Sequence, residues 1–380
     1  MIATDGFGGL GGIALYTCNV LRGLCSYARR PGVVAVPRVM PFTAEAIPEN
    51  LDWDVSGLGG KARFARAVVR AAFRRGPFDL VLCTHVNLLQ LAYPIARLQR
   101  APIALFVYGI EVKQPTSKPL ANHFASKVDA VVSIRRHTTR AFRSWAKLDN
   151  VPDYLLENAI DLSRYGIAPK APDLVERFGL GGKRVVMTLS RLGEQYIGVD
   201  EVLGALGRLV RMVPDAMYLV GGGGPDLSRL QDKAKALGVD RHVVFAGFVP
   251  DERKADYYRL GDAYAMPGSG PDFDRYPARF AFLEAMACGV PVVGARCEDE
   301  EERVLDGALL ARQVDPHDSE AIARSLAEAL AMPKATPPGL GRFGYPSFEA
   351  RWHKILNEIL QHKLVDSMDR KQASARRAQN

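Results

Sequence analysis

Short apolar runs alternate with amphipathic stretches along most of the 380 residues. The pattern is plainest in the C-terminal half. Residues 184–190 (RVVMTLS) form a β-branched apolar run, and VDEVLGALGRLVRMV after them carries apolar positions at helical spacing. AMYLV then runs into four glycines and the helical stretch DLSRLQDKAKALG. VVFAGFV, a helix from Asp251 to about Leu260, AYAMP, the helix FAFLEAMACG and PVVGA complete the series. Strands alternating with helices that end near Gly or Pro predict βαβ units and a doubly wound parallel sheet. Strands buried on both faces read as unbroken apolar runs, as these do.

The first half follows the same grammar less cleanly. MIAT leads into a glycine-rich loop and the apolar helix IALYTCNVLRGLCSYA. A helix around Ala62–Arg75 precedes the strand DLVLCTH, and a helix near 88–98, the strands IALFVYG and AVVSI and a basic helix from about Thr138 follow. Only four residues, MIAT, precede Asp5 and make a short first strand, so a start upstream of this one is expected. Residues 334–346 (KATPPGLGRFGYP) read as a connector, FEARWHKILNEILQ as a further amphipathic helix, and the polar stretch beyond Leu364 as disordered. The pattern thus predicts an α/β protein of two Rossmann-like doubly wound domains, residues 1–160 and 161–345. A helix over 346–361 and a basic tail over 362–380 complete it.

Composition narrows the class. The length exceeds one ordinary core and suits two. No apolar run reaches the roughly 20 residues of a membrane span, and the N-terminus lacks the charged-then-apolar pattern of a secretory signal. Five cysteines (Cys18, Cys25, Cys83, Cys288, Cys297), never spaced C-x-x-C, argue against a disulfide framework and for reduced thiols in the cytosol. The net charge of +8 is unevenly shared: residues 1–160 hold 20 Lys/Arg against 11 Asp/Glu. A basic half attracts phospholipid surfaces, nucleic acid or diphosphates. No nucleic-acid-binding module appears, and the aromatic residues are not interleaved with the basic ones.

The candidate chemistry lies where strands end. Gly221–Gly224, with Pro225, occupies the turn from a predicted strand to a helix, where glycines admit backbone N–H groups to a phosphate or simply supply a tight turn. Gly8, Gly9, Gly11 and Gly12 stand in the equivalent place after the first strand. In Phe282–Val293 (FLEAMACGVPVV), Glu284 is alone among small and apolar residues on a helix between buried strands. An unpaired carboxylate there is costly, so it needs donors, and ribose hydroxyls would serve.

That run, with Gly221–Pro225, Ser190-Arg191-Leu192 and Asn158-Ala159-Ile160-Asp161, resembles family 4 of the retaining glycosyltransferases, of the bacterial surface-polysaccharide type. The resemblance covers nearly the whole chain, most specifically residues 185–295. It implies the two-domain GT-B fold, with nucleotide sugar bound by the C-terminal domain and acceptor by the N-terminal one. Glu284 would hold the ribose and Arg191 the diphosphate, where a guanidinium fork suits phosphate oxygens. Gly222 and Gly223 would line the donor site, while Gly11 and Gly12 would approach the diphosphate from the acceptor side. Tyr108 and Glu111, in Tyr108-Gly109-Ile110-Glu111-Val112, match the segment beside the transferred sugar, where many members have histidine at position 108, and with Arg191 they are the catalytic residues the resemblance implies. His85 is an acceptor-side candidate, with a structural histidine as the alternative. Two positions depart from the family: Ile197 where a lysine is common, and Tyr276, still a donor-binding candidate by its place, where a glutamate is common.

The resemblance implies a hexosyltransferase that moves sugar from a UDP- or GDP-linked donor with retention of configuration, in cell-surface polysaccharide assembly. The rival is a weakly active or non-catalytic sugar-nucleotide-binding relative, to which Ile197 and Tyr276 point. No cofactor is implied. Asp272 and Asp274 spell the D-x-D of a metal-dependent fold, but the resemblance is to a metal-independent one. The expected partners are the nucleotide sugar, a lipid-linked saccharide acceptor and an anionic membrane, with no nucleic acid; the expected location is cytoplasmic, peripheral at the inner membrane face. For that surface, Lys61, Arg63, Arg66, Arg70, Arg74 and Arg75 share one predicted helix with Phe64, Val68, Val69 and Phe73 on its other face. Arg135, Arg136, Arg140, Arg143 and Lys147 form a second basic stretch with Phe142 and Trp145.

Overall fold

The computed structural model describes the chain except residues 10, 29–31, 43–45, 194–197, 269–279, 297–310 and 379–380; of Ile110 and residues 362–378 it describes the backbone. Two compact units emerge, Met1–Ala159 with Tyr345–Asn380, and Ile160–Gly344.

The first unit is a seven-stranded, wholly parallel sheet. In chain order its strands are β1 (Ile2–Ala3), β2 (Val33–Pro37), β3 (Leu51–Trp53), β4 (Val81–Cys83), β5 (Ile103–Val107), β6 (Ala130–Ser133) and β7 (Asp153–Leu155). They lie side by side as β3-β2-β1-β4-β5-β6-β7. The second unit repeats the plan with β8 (Arg184–Leu189), β9 (Ala216–Gly221), β10 (Val243–Gly247), β11 (Ala263–Met266), β12 (Val292–Ala295) and β13 (Arg312–Val314), ordered β10-β9-β8-β11-β12-β13. In each sheet the order reverses beside the first strand, between β1 and β4 and between β8 and β11. Open α/β sheets bind ligands outside the carboxyl ends of the strands at such points.

Alternation along single strands explains the unbroken apolar runs. Val185 and Met187 of β8 join one core cluster of the second unit, and Val186 between them joins the other. The second cluster includes Val202, Leu206 and Leu209 of α7 (Val199–Met212). That helix carries Asp200 and Glu201 in its first turn and Arg211 in its last, which suits the helix dipole. Edge strands with mixed burial, such as β7 and β13, escaped the apolar-run criterion for that reason. The helix Ser319–Ala331 was also not among the expected elements, although Ile322, Ala323, Leu326, Ala329 and Leu330 form its buried face; its N-cap Asp318 accepts from Glu320 N (3.0 Å) and Ala321 N (2.9 Å).

The last helix runs over Tyr345–Ala378 and packs within the first unit. Trp352 on it is fully buried, lies edge-on to Phe106 at 5.6 Å and donates Nε1–H to Val20 O at 3.1 Å. A Cβ on Gly23 would come within 2.9 Å of that indole. The tail expected to be disordered continues this helix: no Gly or Pro interrupts residues 362–378, and their Lys, Arg, Gln and Ala favour helix.

The basic helices differ from expectation. On α2 (Lys61–Arg75), Phe64 and Val68 are buried, but Val69 (38% exposed) and Phe73 (67%) point outward with the arginines. Arg70 pairs with Asp54 at 3.2 Å, and Arg75 pairs with Asp52. On α5 (Arg136–Ala146), Phe142 is wholly buried and Trp145 donates to Val112 O at 2.8 Å. Arg143 is held by Asp153, Leu148 O and Val151 O, and Arg135 is buried. Packing has taken the aromatic residues expected at a headgroup boundary.

Candidate functional site

In the first unit, Gly11, Gly12, His85, Tyr108 and Glu111 all follow the carboxyl ends of β1, β4 and β5, Gly12 as the first residue of a helix and Glu111 in a single 3-10 turn. Gly11 (φ 84°) precedes α1 (Gly12–Tyr27), whose N-terminus has no side-chain cap. Gly11 and Gly12 are exposed, and a Cβ on Gly11 would meet nothing within 4 Å. Uncapped N–H groups at such an end suit an anion. His85 caps the turn Val86–Leu88, its Nδ1 accepting from Asn87 N at 3.0 Å. That fixes the tautomer, leaving Nε2 to carry the proton. Burial lowers its pKa and the Arg38 charge adds to this, while the Glu111 carboxylate opposes both.

Tyr108 is only 7% exposed and stands edge-on to Tyr16 at 5.6 Å. Burial pushes its ionisation above the ordinary tyrosine range, and the Asp5 and Glu111 charges add to that. Thr17 lies beside its hydroxyl but donates to Ile13 O at 2.9 Å, and the contact with Tyr108 lacks hydrogen-bond geometry. Burial therefore makes the expected catalytic Tyr108 a packed, neutral side chain. Its backbone N–H donates to Glu111 Oε1, so the half-buried Glu111 braces the loop as well as facing it.

In the second unit, the glycine turn is built around the segment after β8. Leu192 N donates to Gly223 O and Ser190 N to Gly221 O, each at 3.0 Å. A Cβ on Gly222 (φ 118°) would overlap Ser190 O, and one on Gly224 would overlap Leu192 O. These two glycines are required by close approach of their own chain. Gly223 is exposed with nothing within 4 Å of its Cβ position, so it is the one left open for a ligand. Arg191, on the segment these glycines admit, is exposed and has no carboxylate partner among the described residues.

Glu284 lies on the helix Phe280–Ala287, 3% exposed. The donors it needs are supplied by the protein. Tyr165 donates to Oε1 and Tyr258 to Oε2, both at 2.7 Å, and Lys254 Nζ stands 3.5 Å from Oε1. Burial alone would lower the Lys254 pKa, but the carboxylates of Glu284 and Asp251 outweigh it and hold the lysine above its usual value. Asp251 in turn pairs with Lys254 at 2.9 Å and Arg164 at 2.8 Å, carrying the network to the surface. Two phenols and an ammonium thus meet the need for donors within the protein, and the carboxylate keeps acceptor capacity beyond them. Tyr165, Tyr258 and Lys254 went unrecognised because no local pattern links positions so far apart in sequence. Tyr276, Asp272, Asp274 and Ile197 lie outside the described residues. Among the described residues no cluster of three or more His, Cys, Asp or Glu could hold a metal, and no helix is long and apolar enough to cross a membrane.

Residues 173–337 match the profile of the family described as glycosyl transferases group 1. Over 259 residues the chain is 36% identical to a GDP-mannose-dependent alpha-(1-6)-phosphatidylinositol monomannoside mannosyltransferase of Mycolicibacterium smegmatis, covering 65% of each protein, slightly under two thirds. Over 291 residues it is 30% identical to the protein of the same description from Mycobacterium tuberculosis, covering 73% of this chain and 72% of that one. The structure superposes on Anabaena Alr3699/HepE in complex with UDP and glucose with a TM-score of 0.69, at 17% identity, over 94% of this chain and 99% of that one.

Proposed function

The chain belongs to the group 1 glycosyl transferases, with the two Rossmann-like domains of the GT-B fold, and from that premise we propose that it transfers mannose from GDP-mannose to a phosphatidylinositol-based glycolipid at a membrane surface. The observation that carries this reading is the similarity to GDP-mannose-dependent relatives with such acceptors. It is narrower than the expectation of cell-surface polysaccharide assembly. The second unit would hold the nucleotide. Arg191 and Gly223 at the β8 and β9 ends would face the diphosphate. Glu284 would read the ribose by exchanging the half-buried Tyr165 hydroxyl for the diol while keeping Tyr258. Gly11 and Gly12 would offer backbone N–H groups to an anion, and transfer would proceed with retention and without a metal.

The membrane-facing surface we propose is α2. Val69 and Phe73 form an exposed apolar ridge, and Lys61, Arg63, Arg66 and Arg74 have no carboxylate partner among the described residues. Basic amphipathic faces of this kind bind anionic leaflets.

Purified protein incubated with radiolabelled GDP-mannose and vesicles containing phosphatidylinositol monomannoside tests the reading. We expect label in the lipid phase, more from GDP-mannose than from UDP-sugars, and undiminished by EDTA. Transfer from a UDP-sugar alone would overturn the donor assignment, and loss with EDTA restored by magnesium would overturn metal independence. Tight nucleotide-sugar binding with no turnover would favour the binding-protein reading that Ile197 and Tyr276 suggest.

A further inference from the structure

The sheet of the second unit forks where its strand order reverses, and two hydroxyls fill the fork. The ladder between β8 and β11 ends at the pair of Tyr264 and Met187. In a parallel ladder the next rung would run from Leu189 N to Ala265 O, and a backbone group left unpaired beside the core is costly. Each of the two takes a side chain instead. Leu189 N donates to the Tyr264 hydroxyl at 3.3 Å, and Ala265 O accepts from Thr188 Oγ1 at 2.5 Å. The Tyr264 hydroxyl also donates to Leu189 O at 3.0 Å. One phenol on the neighbouring strand thus holds both backbone groups of Leu189.

Leu189 stands two residues before Arg191. Toward β9, Ser190 N donates to Gly221 O and Leu192 N to Gly223 O. The backbone over 189–192 is therefore held from both sides, while the Arg191 side chain is exposed. The Tyr264 ring is wholly buried, edge-on to Phe282 at 5.9 Å and tilted against Tyr258 at 5.8 Å. Both neighbours belong to the surroundings of Glu284: Phe282 precedes it on the same helix, and Tyr258 donates to its carboxylate. Tyr264 accordingly bridges the Glu284 cluster and the segment that carries the arginine.

We propose that Tyr264 is a positioning residue for the donor diphosphate, its hydroxyl setting where the Arg191 segment stands relative to the helix of Glu284. The inference rests on the preceding reading that Arg191 faces the diphosphate. A guanidinium pairs with phosphate through a planar fork, and a misplacement of about 1 Å is enough to spoil such a contact. A phenylalanine at position 264 would fill the same space and leave Leu189 unheld.

Calorimetry with GDP and GMP tests this, because the two nucleotides differ only in the second phosphate. Tyr264→Phe should raise the dissociation constant of GDP about fivefold relative to that of GMP, the scale of one hydrogen bond. Tyr218→Phe is the matched control. It removes a fully buried tyrosine hydroxyl from the other core cluster, 2.8 Å from Thr188 Oγ1, and should lower the melting temperature without changing the GDP-to-GMP ratio. In an Arg191→Gln background, Tyr264→Phe should move that ratio no further, since no guanidinium is left to place. An unchanged ratio in Tyr264→Phe, an equal change in Tyr218→Phe, or full additivity with Arg191→Gln would overturn the proposal. Arg191→Gln by itself separates it from the function reading. A wild-type ratio in that variant removes Arg191 from the diphosphate, and the inference falls with it. A changed ratio there, beside an unchanged one in Tyr264→Phe, removes Tyr264 alone. Should the wild type prefer UDP, the donor assignment fails, and the same comparison with UDP and UMP decides the role of Tyr264.

Discussion

Glu284 and Asp5 are both carboxylates in poorly hydrated surroundings, and their partners set them apart. Glu284 is satisfied by Tyr165, Tyr258 and Lys254, so removing it strands two phenols and an ammonium. We expect Glu284→Ala to destabilise the protein by about 3 kcal/mol or more, as breaking a buried charged network does. Urea unfolding without nucleotide reads this. Wild-type stability in that variant would show the network to be dispensable. Asp5 behaves oppositely. Burial raises its folded pKa above the unfolded value, so the native state binds more protons between the two values. Stability then falls as pH rises through that window, and the loss is complete above the folded pKa. Asp5→Asn should therefore raise the melting temperature at pH 7, with the gain shrinking toward about pH 4. A lower melting temperature at pH 7 would mean that the carboxylate has a stabilising partner.

At the scale of elements, the glycine turn after β9 separates two uses of one residue type. Gly222 and Gly224 make room for the carbonyls of Ser190 and Leu192, whereas Gly223 faces open space. Gly222→Ala should cost stability and displace the Arg191 segment, because backbone cannot yield as a side-chain tip can. Gly223→Ala should fold as the wild type but weaken GDP binding, through a methyl placed where a phosphate would approach. Thermal melting with and without GDP distinguishes them. Equal loss of stability in both variants would remove the distinction. The exposed ridge of α2 belongs to this scale too. Phe73→Ser should leave the fold intact and reduce sedimentation with anionic vesicles, with salt reducing it further. Unchanged sedimentation would exclude α2 as the membrane face.

At the scale of the whole molecule, the path of the chain matters more than any single site. The chain enters the second unit at Ile160 and leaves it at Gly344, and those ends meet: Ile160 N donates to Phe343 O at 2.9 Å, and Ile160 bridges Gly344. A fragment of residues 160–344 should therefore fold alone and gain thermal stability from GDP, as any ligand of the folded state confers. A fragment that stays unfolded would show that its core is incomplete. The first unit is built from both ends of the chain. A chain ending at residue 344 should lose it, because Phe106, Tyr16 and Val20 would forfeit the cover of Phe348 and Trp352. Native-like melting of that unit in the truncated chain would refute this.

The sequence by itself determined the alternation of parallel strands and helices, because strands buried on two faces must be continuously apolar and their crossover helices amphipathic. It also located the loops at the carboxyl ends, since glycines gather where strands hand over to helices. It placed Arg191, Gly223 and His85 on those loops for the same local reason. What only the tertiary structure decided are the contacts between positions distant along the chain. Nothing local tells that Tyr165 and Tyr258 converge on Glu284, that Ser190 and Leu192 need Gly222 and Gly224, or that Phe73 faces outward while Phe142 faces in. The three-residue edge strands were illegible for a related reason: half-exposed strands carry little apolar signal, and their pairing is set by neighbours. Periodicity reports which face of an element is apolar, and packing decides what that face meets.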